Sequence, residues 1–168
     1  MSADHDGDQV ASALAEYLAE VIFADKSADG VTALLIDEVA DWAGSLHWRV
    51  YRRAASVLRL PPPMQNQHSV LDVAVARPDG LLPLAVEVDH GHRKRTVEKL
   101  AAEGAAGRIP ILVRWGGRKA TEASAPVHLI VVGVDQHPGG RFSRTRLRPP
   151  PPHSSAATGD EVALPLDY

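Results

Sequence analysis

The chain contains no cysteine. Disulfides, thiolate nucleophiles and cysteine-based zinc sites are therefore excluded at the outset. Aromatic residues make up only 5% of the sequence, so any core must be built mainly from aliphatic side chains. No apolar run approaches the ~20 residues that a bilayer-spanning helix requires. The opening MSADHDGDQ is acidic and lacks the apolar stretch of a signal peptide. A cytoplasmic location without a membrane partner is expected. Lysine is also scarce beside arginine, a bias that genomic base composition can produce by itself.

The 168 residues are 45% hydrophobic and 23% charged, an ordinary soluble composition for one domain burying about 70% of its unfolded surface. The net charge of −3 hides a division. Residues 1–90 carry 14 acids against 6 Lys/Arg, whereas residues 91–150 carry 4 against 12. The two halves read either as neutralising one another or as bringing a carboxylate site and a phosphate-holding surface into one fold.

Periodicity gives the elements. Val10, Leu14, Tyr17, Leu18, Val21 and Ile22 recur at helical spacing and predict a helix near 9–24, after a frayed head at 1–8. DKSADG punctuates it, with Ser27 or Asp29 as cap of a second helix near 31–45 that buries Val31, Leu34, Leu35, Val39 and Trp42. Strands are predicted over 47–60, 69–76 and 82–89, the last two joined by the turn RPDG. A basic helix follows over 92–106, then two apolar strands at 109–115 and 126–134, both expected to be buried on two faces. One α/β domain over 9–138 results, a mixed β-sheet flanked by helices in the order α-α-β-β-β-α-β-β. The Pro-rich residues 139–168 are expected to be extended or disordered.

Strand parity then singles out a group of acids. Asp72 lies opposite in parity to Leu71, Val73 and Val75, and Glu87 and Asp89 lie opposite to Leu84, Val86 and Val88. Closing the hairpin through 78–81 pairs 77 with 82 and hence 72 with 87. Two carboxylates placed directly opposite repel. Protonation of one would relieve them, as would a hard cation such as Mg²⁺, which takes one or two carboxylates and keeps its waters. Small Ala74, Ala76 and Ala85 leave room beside the pair. Glu38, spaced by four from Leu34 and Trp42, lies on the apolar side of the second helix and either joins the acids or reaches water at that edge. Asp37 and Asp41 flank it on solvated faces.

The order of helix with Glu38, strand, strand with Asp72 in VLDVAV, strand with Glu87 and Asp89 in VEVD, helix, strand resembles the PD-(D/E)xK nuclease superfamily. More narrowly, LDVAVARPDGLLPLAVEVDHGH, a basic helix ending in Gly, and IPILVRW resemble its very-short-patch-repair-like branch, over roughly residues 30–135. The resemblance implies a restriction-endonuclease-like fold and Mg²⁺-dependent hydrolysis (Mn²⁺ substituting) of phosphodiester bonds in DNA or RNA, DNA being the more expected. It implies metal ligation by Asp72 and Glu87, with the Val88 carbonyl, Asp89 and Glu38 as further ligands. His92 is implied as a general base or phosphate contact, and Arg93, Lys94, Arg95 and Lys99 as grips on the nucleic-acid backbone. One departure stands out: the superfamily's usual lysine, two residues after the strand acid, is Asp89 here. Lys94, Lys99 or His92 could substitute, and without a substitute the chain would be an inactive relative that binds or assists. Many small nucleases of this fold act as dimers, so a homodimer stays open.

Other signals are weaker. His90 and His92 with Asp89 could bind zinc, but no third histidine is near in sequence. His68 reads as a loop histidine. DHDGD lacks the register and closing Glu of a calcium loop. PPPP at 149–152 reads as a stiff spacer, and the second helix is too acidic for groove reading.

Overall fold

The computed structural model describes residues 2–91, 93–116 and 123–145. Helix α1 (Ala3–Ala19) starts earlier than its apolar spacing predicts, because Ser2 accepts the His5 N–H and Asp6 is held by Arg77 at 3.1 and 2.5 Å. The head is thus helical from Ala3 rather than frayed. Strand β1 (Phe23–Ser27) occupies the segment read as punctuation. Helix α2 (Ala28–Ser45) is capped by Ser27, whose Oγ accepts the Gly30 N–H at 3.1 Å. Strands β2 (Arg49–Arg59), β3 (His68–Ala76) and β4 (Leu84–His90), helix α3 (Lys94–Ala105) and strands β5 (Ile109–Trp115) and β6 (His128–Val132) follow at the expected places. Two short strands, β7 (Asp135–His137) and β8 (Arg141–Arg144), come after them.

The result is an α/β protein with a mixed five-stranded sheet in the order β2-β3-β4-β5-β6 and a small antiparallel sheet in the order β1-β8-β7. The first three strands of the large sheet run antiparallel, and β4, β5 and β6 run parallel. The predicted hairpin register holds: Val73 faces Val86, Ala74 faces Ala85 and Val75 faces Leu84. Strand β5 is buried throughout. Strand β6 corrects the expectation of two buried faces: it is a sheet edge, and its Val131 is 55% exposed.

Two cores lie on opposite faces of the large sheet. On one, Val10, Leu14 and Leu18 of α1 and Val31, Leu35 and Val39 of α2 pack on Val73, Val86, Val88, Ile111 and Val113. On the other, Leu100 of α3 packs on Leu71, Ala85, Leu112 and Val127. Leu71 corrects the simple alternation, which put it on the face of Val73 and Val75. The change of face lies beside a left-handed residue of the neighbouring strand, Arg53, where φ is +52°. Arg52 pairs with Val73 and Ala54 with Leu71, but the intervening Arg53 and Asp72 do not pair, and the side chains beyond them change faces. The outer half of β2 packs against α3. There the buried Glu103 accepts from Ser56 Oγ and the Val57 N–H, both at 2.7 Å.

The folded region also runs past residue 138, where a Pro-rich tail was expected to begin. Phe142 is buried against Trp115, and Arg144 donates to the carbonyls of Val21 and Gly133 at 2.9 and 2.5 Å. Those contacts supply the burial and hydrogen bonding that a tail would lack. The remaining tail positions, including the four prolines, lie outside the described residues.

Candidate active site

Strands β3 and β4 pair as far as Val73 and Val86 and then part. At the point of separation the Asp72 carboxylate replaces the missing ladder bond, its Oδ2 accepting the Val88 N–H at 2.8 Å. Glu87 stands beside it, only 5% exposed, on the face covered by α3. Lys99 enters from α3 and donates to Glu87 Oε1 and, at 2.6 Å, to the Val70 carbonyl. Its side chain is 12% exposed. Lys99 of the next helix is thus a lysine that reaches Glu87, whereas the residue two positions after Glu87 is Asp89.

The electrostatics follow from crowding. Burial pushes the Glu87 carboxyl up, the hydrogen bond and charge of Asp72 push it further, and Lys99 offsets only part, leaving it at about 8. At neutral pH Glu87 therefore carries its proton, with the Lys99 ammonium beside it. The arrangement can hold a proton at a defined place or exchange it for a cation.

Asp89 lies next on the same face and is 4% exposed. Its Oδ1 is 3.3 Å from Arg93 Nε, while Oδ2 is buried without a hydrogen-bond partner among the described residues. Arg93, Lys94 and Arg95 are exposed at the start of α3, and Lys94 lies 3.9 Å from Glu98. With 92% of its side chain exposed, Lys94 is not brought to the acids. His92 lies outside the described residues.

Glu38 is likewise not brought to the pair. Helix α2 packs on the opposite face of the sheet, and Glu38 Oε2 accepts the Tyr17 hydroxyl of α1 at 2.8 Å. That bond, with burial, raises the Tyr17 hydroxyl to about 12. A Glu on the apolar side of a helix did need a partner, but the partner is a phenol. His90 also leaves the acids, because strand parity turns it to the other face, where it stacks on Trp115 at 4.0 Å. His68 heads β3 and its Nδ1 lies 2.8 Å from the Ser56 carbonyl. Among the described residues no three His, Asp or Glu side chains converge as a metal cage.

The small alanines do leave a cavity, of about 200 Å³, but in a different place from the one expected. Ala74, Ala76 and Ala85 line it with Tyr51, Glu103 and Arg108, toward the other end of β3 from Asp72. Sequence reasoning did not find Arg53, which no compositional signal marks as left-handed, or the Val70 carbonyl, which becomes available only because the strands separate. No described helix is long and apolar enough to cross a membrane. No protein-family model, curated protein or solved structure matches the chain.

Proposed function

We propose that the chain is a metal-dependent nuclease that hydrolyses phosphodiester bonds of DNA, on a restriction-endonuclease-like fold. One observation carries this reading: Asp72, Glu87 and Lys99 meet where β3 and β4 separate. Two acids and a lysine at a strand fork are the groups such hydrolysis uses, and Lys99 answers the objection raised by Asp89.

The residues fit Mg²⁺ in a limited sense. Asp72 and Glu87 offer carboxylate oxygens, enough for an ion that keeps most of its waters but not for a closed protein cage. Bound there, the ion would supply Lewis acidity and a water of lowered pKa. Lys99 favours the charged form of Glu87 and, where a cation displaced it from that carboxylate, would be an ammonium near enough to orient an attacking water. Oδ2 of Asp89, buried and without a partner among the described residues, offers one more acceptor on the same face. Arg93, Lys94 and Arg95 give α3 an exposed basic start suited to phosphates. Lys99 itself is committed to Glu87 and Val70 and is a site residue rather than a backbone grip.

Incubation with plasmid and single-stranded DNA in Mg²⁺ or Mn²⁺ tests the reading. Cutting is expected in the wild type, with loss on chelation and in Glu87→Ala and Lys99→Ala. A wild type inert with both metals on DNA and RNA would sink it. The near-complete burial of Glu87 beneath Lys99 favours one second reading, an inactive relative that binds DNA or serves as an accessory factor. Salt-sensitive DNA binding without cutting would select it.

A further inference from the structure

The left-handed backbone at Arg53 has no explanation in the packing of its side chain. Its φ of +52° is unfavourable for any residue with a Cβ, and glycine or asparagine would adopt it more readily. Strain of this kind persists where surrounding structure enforces it and clusters at functional sites. Here it falls at one particular place: between the pairs Arg52–Val73 and Ala54–Leu71, so that Arg53 stands across from Asp72. Arg52, its neighbour, is committed to Asp37 at 2.5 Å. Arg53 is exposed and makes no hydrogen bond or ion pair among the described residues.

The local charge balance gives that guanidinium a task. Among the described residues the acid pair has one ammonium, Lys99, already engaged by Glu87 and the Val70 carbonyl. A phosphodiester approaching the pair brings a further negative charge. An uncommitted guanidinium one strand away can meet it, and the planar fork of arginine matches two phosphate oxygens. We propose that Arg53 contacts a backbone phosphate of a nucleic-acid strand seated at Asp72 and Glu87. This makes the edge strand β2 a second contributor to the binding surface, in addition to the basic start of α3. The proposal rests on the nucleic-acid reading above and adds a residue which that reading does not use.

The test compares Arg53→Asn and Arg53→Lys in the full chain. Asparagine tolerates the left-handed backbone but removes the charge, while lysine keeps the charge. A fluorescein-labelled DNA duplex is titrated by anisotropy with chelator present, over a series of potassium chloride concentrations. Arg53→Asn is expected to bind about tenfold more weakly. Its dependence of log affinity on log salt should be shallower by about 1, the loss of one phosphate contact. Arg53→Lys should restore the slope. Unchanged affinity and slope in Arg53→Asn, with the wild type binding, would overturn the assignment and leave the nuclease reading intact. A slope not restored by lysine would also overturn it, pointing to the backbone instead of the charge. A wild type that binds no DNA at any salt would remove both.

Discussion

Glu87 is held protonated by burial and by Asp72 up to about pH 8, against an ordinary value of 4.5. The unfolded chain gives up this proton near 4.5, so between the two values the folded state binds more protons. Stability from this group is therefore fully present below about 4.5 and is lost as pH rises through about 8, by up to about 1.4 kcal/mol per pH unit. Urea denaturation across that range should show the decline in the wild type and a flatter profile in Glu87→Gln. Lys99→Met should cost about 1–3 kcal/mol in the same assay, because the Val70 carbonyl and the acid pair lose their buried donor. At this scale the hairpin acids were legible, since a two-residue side-chain period and one turn fixed Asp72 against Glu87. The partner of Glu38 was not, because Tyr17 belongs to another helix and interhelical rotation leaves no local trace.

Helix α3 is the element on which the site depends. It brings Lys99 to the acids near its middle and clamps the outer half of β2 through Glu103 one turn later. Glu103→Ala leaves Ser56 Oγ and the Val57 N–H without their acceptor and should destabilise by about 2–3 kcal/mol. Gly104 lets the same helix approach two prolines: a Cβ there would stand 2.8 Å from Pro126 and 3.2 Å from Pro110. Gly104→Ala should therefore lower stability by about 1–3 kcal/mol through overpacking, despite alanine's better helix propensity, as a thermal melt would show. Helices α2 and α3 and strands β2 to β5 were legible because each carries an apolar period or run of its own. Strands β1, β7 and β8 have three to five residues and mostly exposed or partly buried side chains. Their structure comes from pairing with distant chain, to which local periodicity is blind.

Across the whole molecule the division of charge is only partly neutralised. Lys99 with Glu87, Arg93 with Asp89 and Arg141 with Asp25 join the basic half to the acidic one, yet Arg93 and Lys94 keep exposed side chains. The small sheet closes the fold. A chain ended after residue 138 removes Phe142 and Arg144 from the core and should melt well below one ended after residue 145, since β1 then loses its partner strand. That closure has a kinetic side. The acids, the kink and Lys99 all lie between residues 53 and 99, whereas Phe23 must find Arg144 across nearly the whole described chain. Loop-closure entropy delays such a distant meeting. On refolding, the amides of β3 and β4 should gain protection from exchange before those of β1 and β8, so the site would take shape before the small sheet locks.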